Sequence, residues 1–108
     1  MDEIFKALGD PTRLRIVQML AQSGDVCVCN IMSDLGMVQS AVSHHMLKLK
    51  HAGLLRSRRE GQWIHYSLNV EALEAGPLKF LQDIAAAART GSTPDETTSA
   101  PTKRRQAP

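Results

Sequence analysis

Cys27 and Cys29 are the two cysteines of the chain, and only Val28 separates them. Thiolates are soft ligands that select thiol-seeking ions, and a place near a helix N-terminus favours the thiolate by lowering its pKa. With no His or carboxylate cluster beside them, the pair suits As(III) or Sb(III) better than zinc. The spacing sets a condition. Each helical residue advances about 100°, so on a regular helix the two side chains point about 200° apart. Two thiolates sharing one tetrahedral zinc would hold their sulfurs only about 3.8 Å apart. Either the turn that carries them is non-helical at rest, or ligation distorts it and shifts a population between two forms. Three other uses stay open: a redox switch, a thiol metal carrier with no DNA partner, and two small buried hydrophobes in a core helix.

A second group of residues has the chemistry of DNA recognition. Ser40, Ser43, His44, Leu47, Lys48 and His51 share one arc of a helical wheel, opposite Val42, Met46 and Leu49. Gln39, Ser40, Ser43 and His44 fall in the first two turns, where a recognition helix meets base edges in the major groove. Gln can address adenine through two hydrogen bonds. Lys48 and Lys50 suit phosphates, which fix position without reading sequence. Arg58, Arg59 and Gln62 cluster at the tip of a following hairpin, where a wing can reach the backbone or the minor groove. His45 falls beside the buried stripe and is expected to be a packed, hydrogen-bonded histidine.

These residues need elements to position them. Ile4, Phe5 and Leu8 mark a short first helix closed by Gly9, which can take a left-handed cap. Asp10-Pro11 is a helix start, an N-cap followed by the residue favoured at the first helical position. Leu14, Val17, Leu20 and Ala21 form the stripe of this second helix, with Arg13 and Gln18 pointing elsewhere, and Ser23-Gly24 ends it. Asp25 can cap a third helix whose Val28, Ile31, Met32 and Leu35 recur at helical spacing. A tight turn at Gly36-Met37-Val38 leads to the fourth helix, which ends at Ala52-Gly53. Leu54 to Arg58 and Trp63 to Leu68 alternate in character, and Arg59 to Gln62 supplies the bend between them. Asn69 can cap a last helical region, interrupted at Gly76-Pro77, with Leu73, Phe80 or Leu81, Ile84 and Ala88 along one stripe. The fold predicted is mainly α with a small β-hairpin, a winged helix-turn-helix.

Between Gln39 and Ser67 lie Lys48, Lys50, Arg56, Arg58 and Arg59 against Glu60 alone, although the whole chain carries only +2. A basic segment on a slightly acidic body suits a nucleic-acid face. From Arg89 onward Thr, Ser, Pro and charged residues show no apolar periodicity, so 1–88 reads as one domain and 89–108 as a disordered tail. No apolar run is long enough to span a membrane and no signal segment follows Met1, so a cytoplasmic protein with reduced thiols is expected. Neither Cys-x-x-Cys in a strand-helix-strand pattern, nor a Ser/His/acid set, nor a Gly-rich phosphate loop is present, which argues against an enzyme.

Several segments resemble one known family in order. Asp25-Val-Cys-Val-Cys-Asn-Ile-Met-Ser-Asp-Leu-Gly is similar to the metal box of the ArsR/SmtB metalloregulatory repressors, in particular their arsenic-responsive branch. Gln39 to Leu55 resembles the recognition helix of that family, Asp10 to Val17 its second helix, and Glu60 to Leu68 its wing. The resemblance covers about residues 3–88. It implies a homodimer joined through the first and last helices, which puts Ile4, Phe5, Leu8, Leu73, Phe80, Leu81 and Ile84 at that contact. It also implies double-stranded operator DNA with an imperfect inverted repeat as partner, in the promoter of a metalloid-resistance operon, released when arsenite or antimonite binds Cys27 and Cys29. Two positions depart from the pattern. Val38 stands where the family often has a capping Ser, and Met32 where its arsenic site has a third Cys. The protein would then donate two thiolates, with hydroxide or a small thiol completing the ion's shell. The last helix has no His for the family's zinc site.

Overall fold

The computed structural model describes residues 1–91. Helix α1 (Asp2–Leu8) leads into α2 (Pro11–Ser23), and the start of α2 is built as its residue types require. The Asp10 carboxylate accepts from the Arg13 amide at 3.0 Å, and Pro11 occupies the first turn. That hydrogen bond, together with the nearby Arg13 charge, holds the Asp10 carboxyl below its usual pKa. Gly9 does not take the left-handed cap expected of it, having φ −82°. The buried stripe of α2 also differs from expectation. Leu20 is fully buried and Val17 packs against the core as expected, but Ile16 is fully buried as well, whereas Leu14 is 47% exposed and Ala21 lies at the surface.

Strand β1 (Val26–Cys27) occupies the segment after Asp25, where a third helix or a non-helical turn is expected. It adds to the hairpin of β2 (Leu55–Glu60) and β3 (Trp63–Leu68), giving an antiparallel sheet of order β1-β3-β2. Its two residues pair Val26 with Tyr66 and Cys27 with His65. Two residues are too few for an alternating pattern to register. The hairpin loop is Gly61-Gln62 alone, so Arg59 and Glu60 belong to the strand and not to the bend. Gly61 has φ 63°, the left-handed backbone that a two-residue hairpin turn requires at its first position.

Helix α3 (Val28–Leu35) stops at Gly36, whose left-handed φ of 63° closes it, and α4 (Gln39–His51) follows. Val42, Met46 and Leu49 of α4 are fully buried with Ile31, Ile16, Leu20 and Leu54. This core fixes the rotation of α4 about its axis and therefore which arc faces out. After β3, Asn69 caps the short α5 (Val70–Leu73) by accepting from the Ala72 amide. A π-turn over Glu74–Leu78 holds Pro77, where the interruption was expected.

The chain divides into two compact units, Met1–Pro77 and a second beginning at Leu78. In the second, α6 (Lys79–Gly91) runs three residues past the boundary expected at 88. The remainder of the expected tail, 92–108, lies outside the described residues. No helix among the described residues is long and apolar enough to cross a membrane.

Candidate functional site

The polar arc of α4 emerges as the sequence predicts. Gln39, Ser40, Ser43, His44 and Lys48 are all exposed. The side chains of Gln39, Ser40 and Ser43 make no hydrogen bond among the described residues, so their donors and acceptors are available to a ligand. Val38, the N-cap, offers no side-chain acceptor, as its apolar type dictates. His45 is half-buried, with Nδ1 3.2 Å from Arg13 Nη1 and 3.9 Å from the Asp10 carboxylate. Arg13, expected to point away from the core, instead donates from Nε to the Ala7 carbonyl at 2.6 Å and so ties α1, α2 and α4 together.

The five basic residues of the segment separate into two groups. Lys48 and Arg59 make no ion pair among the described residues and can meet phosphates. Arg56 pairs with Glu71 at 3.0 Å, an interaction that adds to a backbone hydrogen bond in lowering the Glu71 pKa. Lys50 donates to Ser57 Oγ at 3.0 Å, tying the end of α4 to β2. Arg58 is bound to the Asp25 carboxylate and lies 3.5 Å from Glu60. The Asp25 hydrogen bond and charge raise the Arg58 pKa further above its ordinary value. Asp25 is thus no helix cap; Cys27 takes that place. Gln62 is exposed in the hairpin turn.

The thiol pair resolves the geometric condition by the first of its two routes. Cys27 is extended, with φ −70° and ψ 142°, as the last residue of β1 and the N-cap of α3. Because one cysteine precedes the helix and the other lies inside it, the sulfurs converge rather than diverge. Here they are joined in a disulfide with Cα atoms 5.2 Å apart, where two free thiols were expected. Cys27 Sγ also accepts from the Cys29 amide at 3.2 Å. Met32, in the position of a third ligand, is partly buried against the core. Among the described residues no group of three or more His, Cys, Asp or Glu side chains could hold a metal ion. Once reduced, the two sulfurs at the N-terminus of α3 could serve as donors to a soft ion.

The residues expected at a dimer contact fall into two environments. Ile4, Leu8 and Leu73 pack partly against the core of the first unit, and Phe5 is half-buried. Phe80, Leu81 and Ile84 on α6 are 44%, 54% and 48% exposed.

Sequence reasoning missed Asp25, His65 and Arg13 as organising residues. Each acts across long sequence separations, and local periodicity carries no signal for that.

Comparison with known proteins agrees with this geometry. Residues 10–57 match the family described as "Bacterial regulatory protein, arsR family". An HTH-type transcriptional regulator of Methanocaldococcus jannaschii is 52% identical over 64 residues, 59% of this chain and 72% of that protein. The arsenical resistance operon repressor of Escherichia coli is 42% identical over 67 residues, 62% of this chain but only 57% of the relative's length. The crystal structure of an ArsR family transcriptional regulator superposes with a TM-score of 0.74 at 21% identity, covering 82% of this chain and 90% of the other.

Proposed function

The chain belongs to the ArsR family of bacterial regulatory proteins, and from that premise we propose that it is a DNA-binding transcriptional repressor that leaves its operator when As(III) or Sb(III) binds Cys27 and Cys29. The observation that carries the DNA reading is α4 itself. Its apolar side is locked into the core by Val42, Met46 and Leu49, and this leaves Gln39, Ser40, Ser43 and His44 exposed on a rigid support. Lys48, Arg59 and Gln62 supply positioning contacts on either side. A DNA partner supports a cytoplasmic site of action. A homodimer fits an inverted-repeat operator, because two-fold protein symmetry mirrors the two half-sites. The exposed Phe80, Leu81 and Ile84 offer apolar surface for that contact.

Support for a thiol-seeking inducer comes from the convergent sulfurs and from the E. coli relative, whose name ties it to arsenical resistance. Two thiolates and no third side-chain donor leave one position on a three-coordinate ion for hydroxide or a small thiol. The closeness of the two sulfurs, with Cα atoms 5.2 Å apart, supports a second reading of the same pair. Peroxide takes two electrons from two thiols and yields one disulfide and two waters, so oxidation joins the sulfurs as ligation bridges them.

The test is release of a fragment of the chain's own upstream DNA by arsenite and by peroxide, after reduction of the protein with a dithiol. Wild type is compared with Cys27→Ser and Cys29→Ser; Ser at position 27 keeps an N-cap acceptor. Arsenite release that is lost in both variants supports the metalloid reading. Release by peroxide alone supports the redox reading, and arsenite release that survives both substitutions removes the site.

A further inference from the structure

The sheet register brings the thiol segment and the wing onto one rung. Cys27 on β1 pairs with His65 on β3, and His65 pairs in turn with Arg58 on β2. Directly paired residues of antiparallel strands carry their side chains on the same face. Residues two positions along share that face as well, which adds Asp25 on one side and Glu60 on the other. The contacts follow this layout. Arg58 is hydrogen-bonded to Asp25 Oδ2, His65 Nδ1 lies 3.8 Å from Asp25 Oδ1, and His65 Nε2 lies 3.3 Å from Glu60 Oε1. Neither member of the Asp25–Arg58 pair is buried; their side chains are 45% and 52% exposed. The pair is therefore open to competition from another anion, and screened strongly enough by solvent to be exchangeable.

We propose that Asp25 is an internal stand-in for a DNA phosphate: it withholds Arg58 of the wing from the operator backbone, and the state of the thiols two residues away sets how firmly it does so. The inference rests on the DNA-binding reading and specifies its regulation. A guanidinium donates to a carboxylate or to a phosphate from the same N–H groups, so the Arg58 Nη2 that now donates to Asp25 Oδ2 engages one or the other. Asp25 has little freedom to follow Arg58 toward DNA, because the next two residues are fixed in the β1–β3 ladder. In this structure, with the sulfurs joined, Arg58 is on Asp25. The S–S bond ties the Cys27 end of β1 to the first turn of α3, so opening it removes one of the two restraints on this segment and leaves the ladder as the other. Asp25 is a positioning residue for the wing; it takes no part in ligation.

The experiment measures affinity of the full chain for its own upstream DNA across a range of salt, with and without arsenite, for wild type and Asp25→Asn. The asparagine keeps the shape and removes the charge. Arg58 then adds a phosphate contact in the arsenite-bound form. The variant is expected to bind about 3- to 10-fold tighter than wild type there, with a salt slope steeper by about one per protomer. Its loss of affinity on adding arsenite shrinks by the same factor. Arg58→Ala in the Asp25→Asn background abolishes the gain, which a general change of net charge would not predict. Arg58→Lys, which keeps the charge but loses the fork, provides the test if Asp25→Asn does not fold, and its arsenite response is also expected to be smaller than wild type. Asp25→Asn with wild-type slope and wild-type arsenite response overturns the inference and leaves the DNA reading standing. A wild-type chain that binds no upstream DNA removes both.

Discussion

The two surfaces expected to meet DNA are held in opposite ways. Helix α4 is fixed from behind and free in front: Val42, Met46 and Leu49 are sealed in the core, while Gln39, Ser40 and Ser43 have no hydrogen-bonding partner among the described residues. The outer strand of the wing, β2, buries only Leu55 behind and is engaged in front. All of β2 after Leu55 is exposed, yet Arg56 is tied to Glu71 and Arg58 to Asp25. A surface anchored by packing presents its groups constantly, and suits reading of sequence. A surface held by exposed ion pairs presents its groups conditionally, and suits regulation.

The contrast breaks most visibly if the anchor of α4 is removed. Met46→Ala leaves a cavity at a fully buried site and should cost about 2–5 kcal/mol in denaturant unfolding. Leu47→Ala, at a position 51% exposed on the same helix, should leave the unfolding midpoint nearly unchanged. Equal costs for the two would mean that α4 is not held as described. Next come the reading groups. Gln39→Ala and Ser43→Ala should each weaken binding to upstream DNA by about 1–3 kcal/mol. They should relax discrimination at particular base pairs, seen when single-base variants of the site are titrated, while thermal stability stays the same. Arg59→Ala should act differently, lowering affinity for every sequence alike and reducing the salt slope by about one per protomer.

The smallest effect concerns pH. The folded protein holds the Asp10 pKa below its ordinary value of 3.8, so the unfolded chain binds the proton more readily. The stability this contributes is fully present above the unfolded pKa and is lost as pH falls through the lower, folded one. Asp10→Asn keeps a capping side chain and removes the titration. Its acid unfolding curve should be flatter than wild type below about pH 4, with little difference at neutral pH.

What the sequence made legible follows from how far each interaction reaches. The α4 stripe, the Asp10-Pro11 start, the Asn69 cap and the hairpin depend on neighbours within a few residues, and they appear where periodicity and capping rules put them, with the hairpin bend two residues shorter than expected. The inward stripe of α2 was misread because Leu14 and Ile16 are equally apolar; only packing against α4 and the sheet selects Ile16. Asp25 looked like a helix cap because an acid before an apolar helical run usually is one. Its actual partner, Arg58, lies 33 residues on, and nothing local marks it. The same holds for the thiols. Spacing alone posed the choice between a distorted helix and a non-helical start, and the pairing of Cys27 with His65 decided it.

The central claim is that the exposed arc of α4 reads sequence while the wing grips backbone. It is tested most directly by the ratio of affinities of the full, reduced chain for its own upstream DNA and for a scrambled fragment of equal length and composition, at one fixed salt concentration. A ratio of about a thousand or more, in the range of specific regulators, is what this arrangement predicts, and a ratio near one would contradict it.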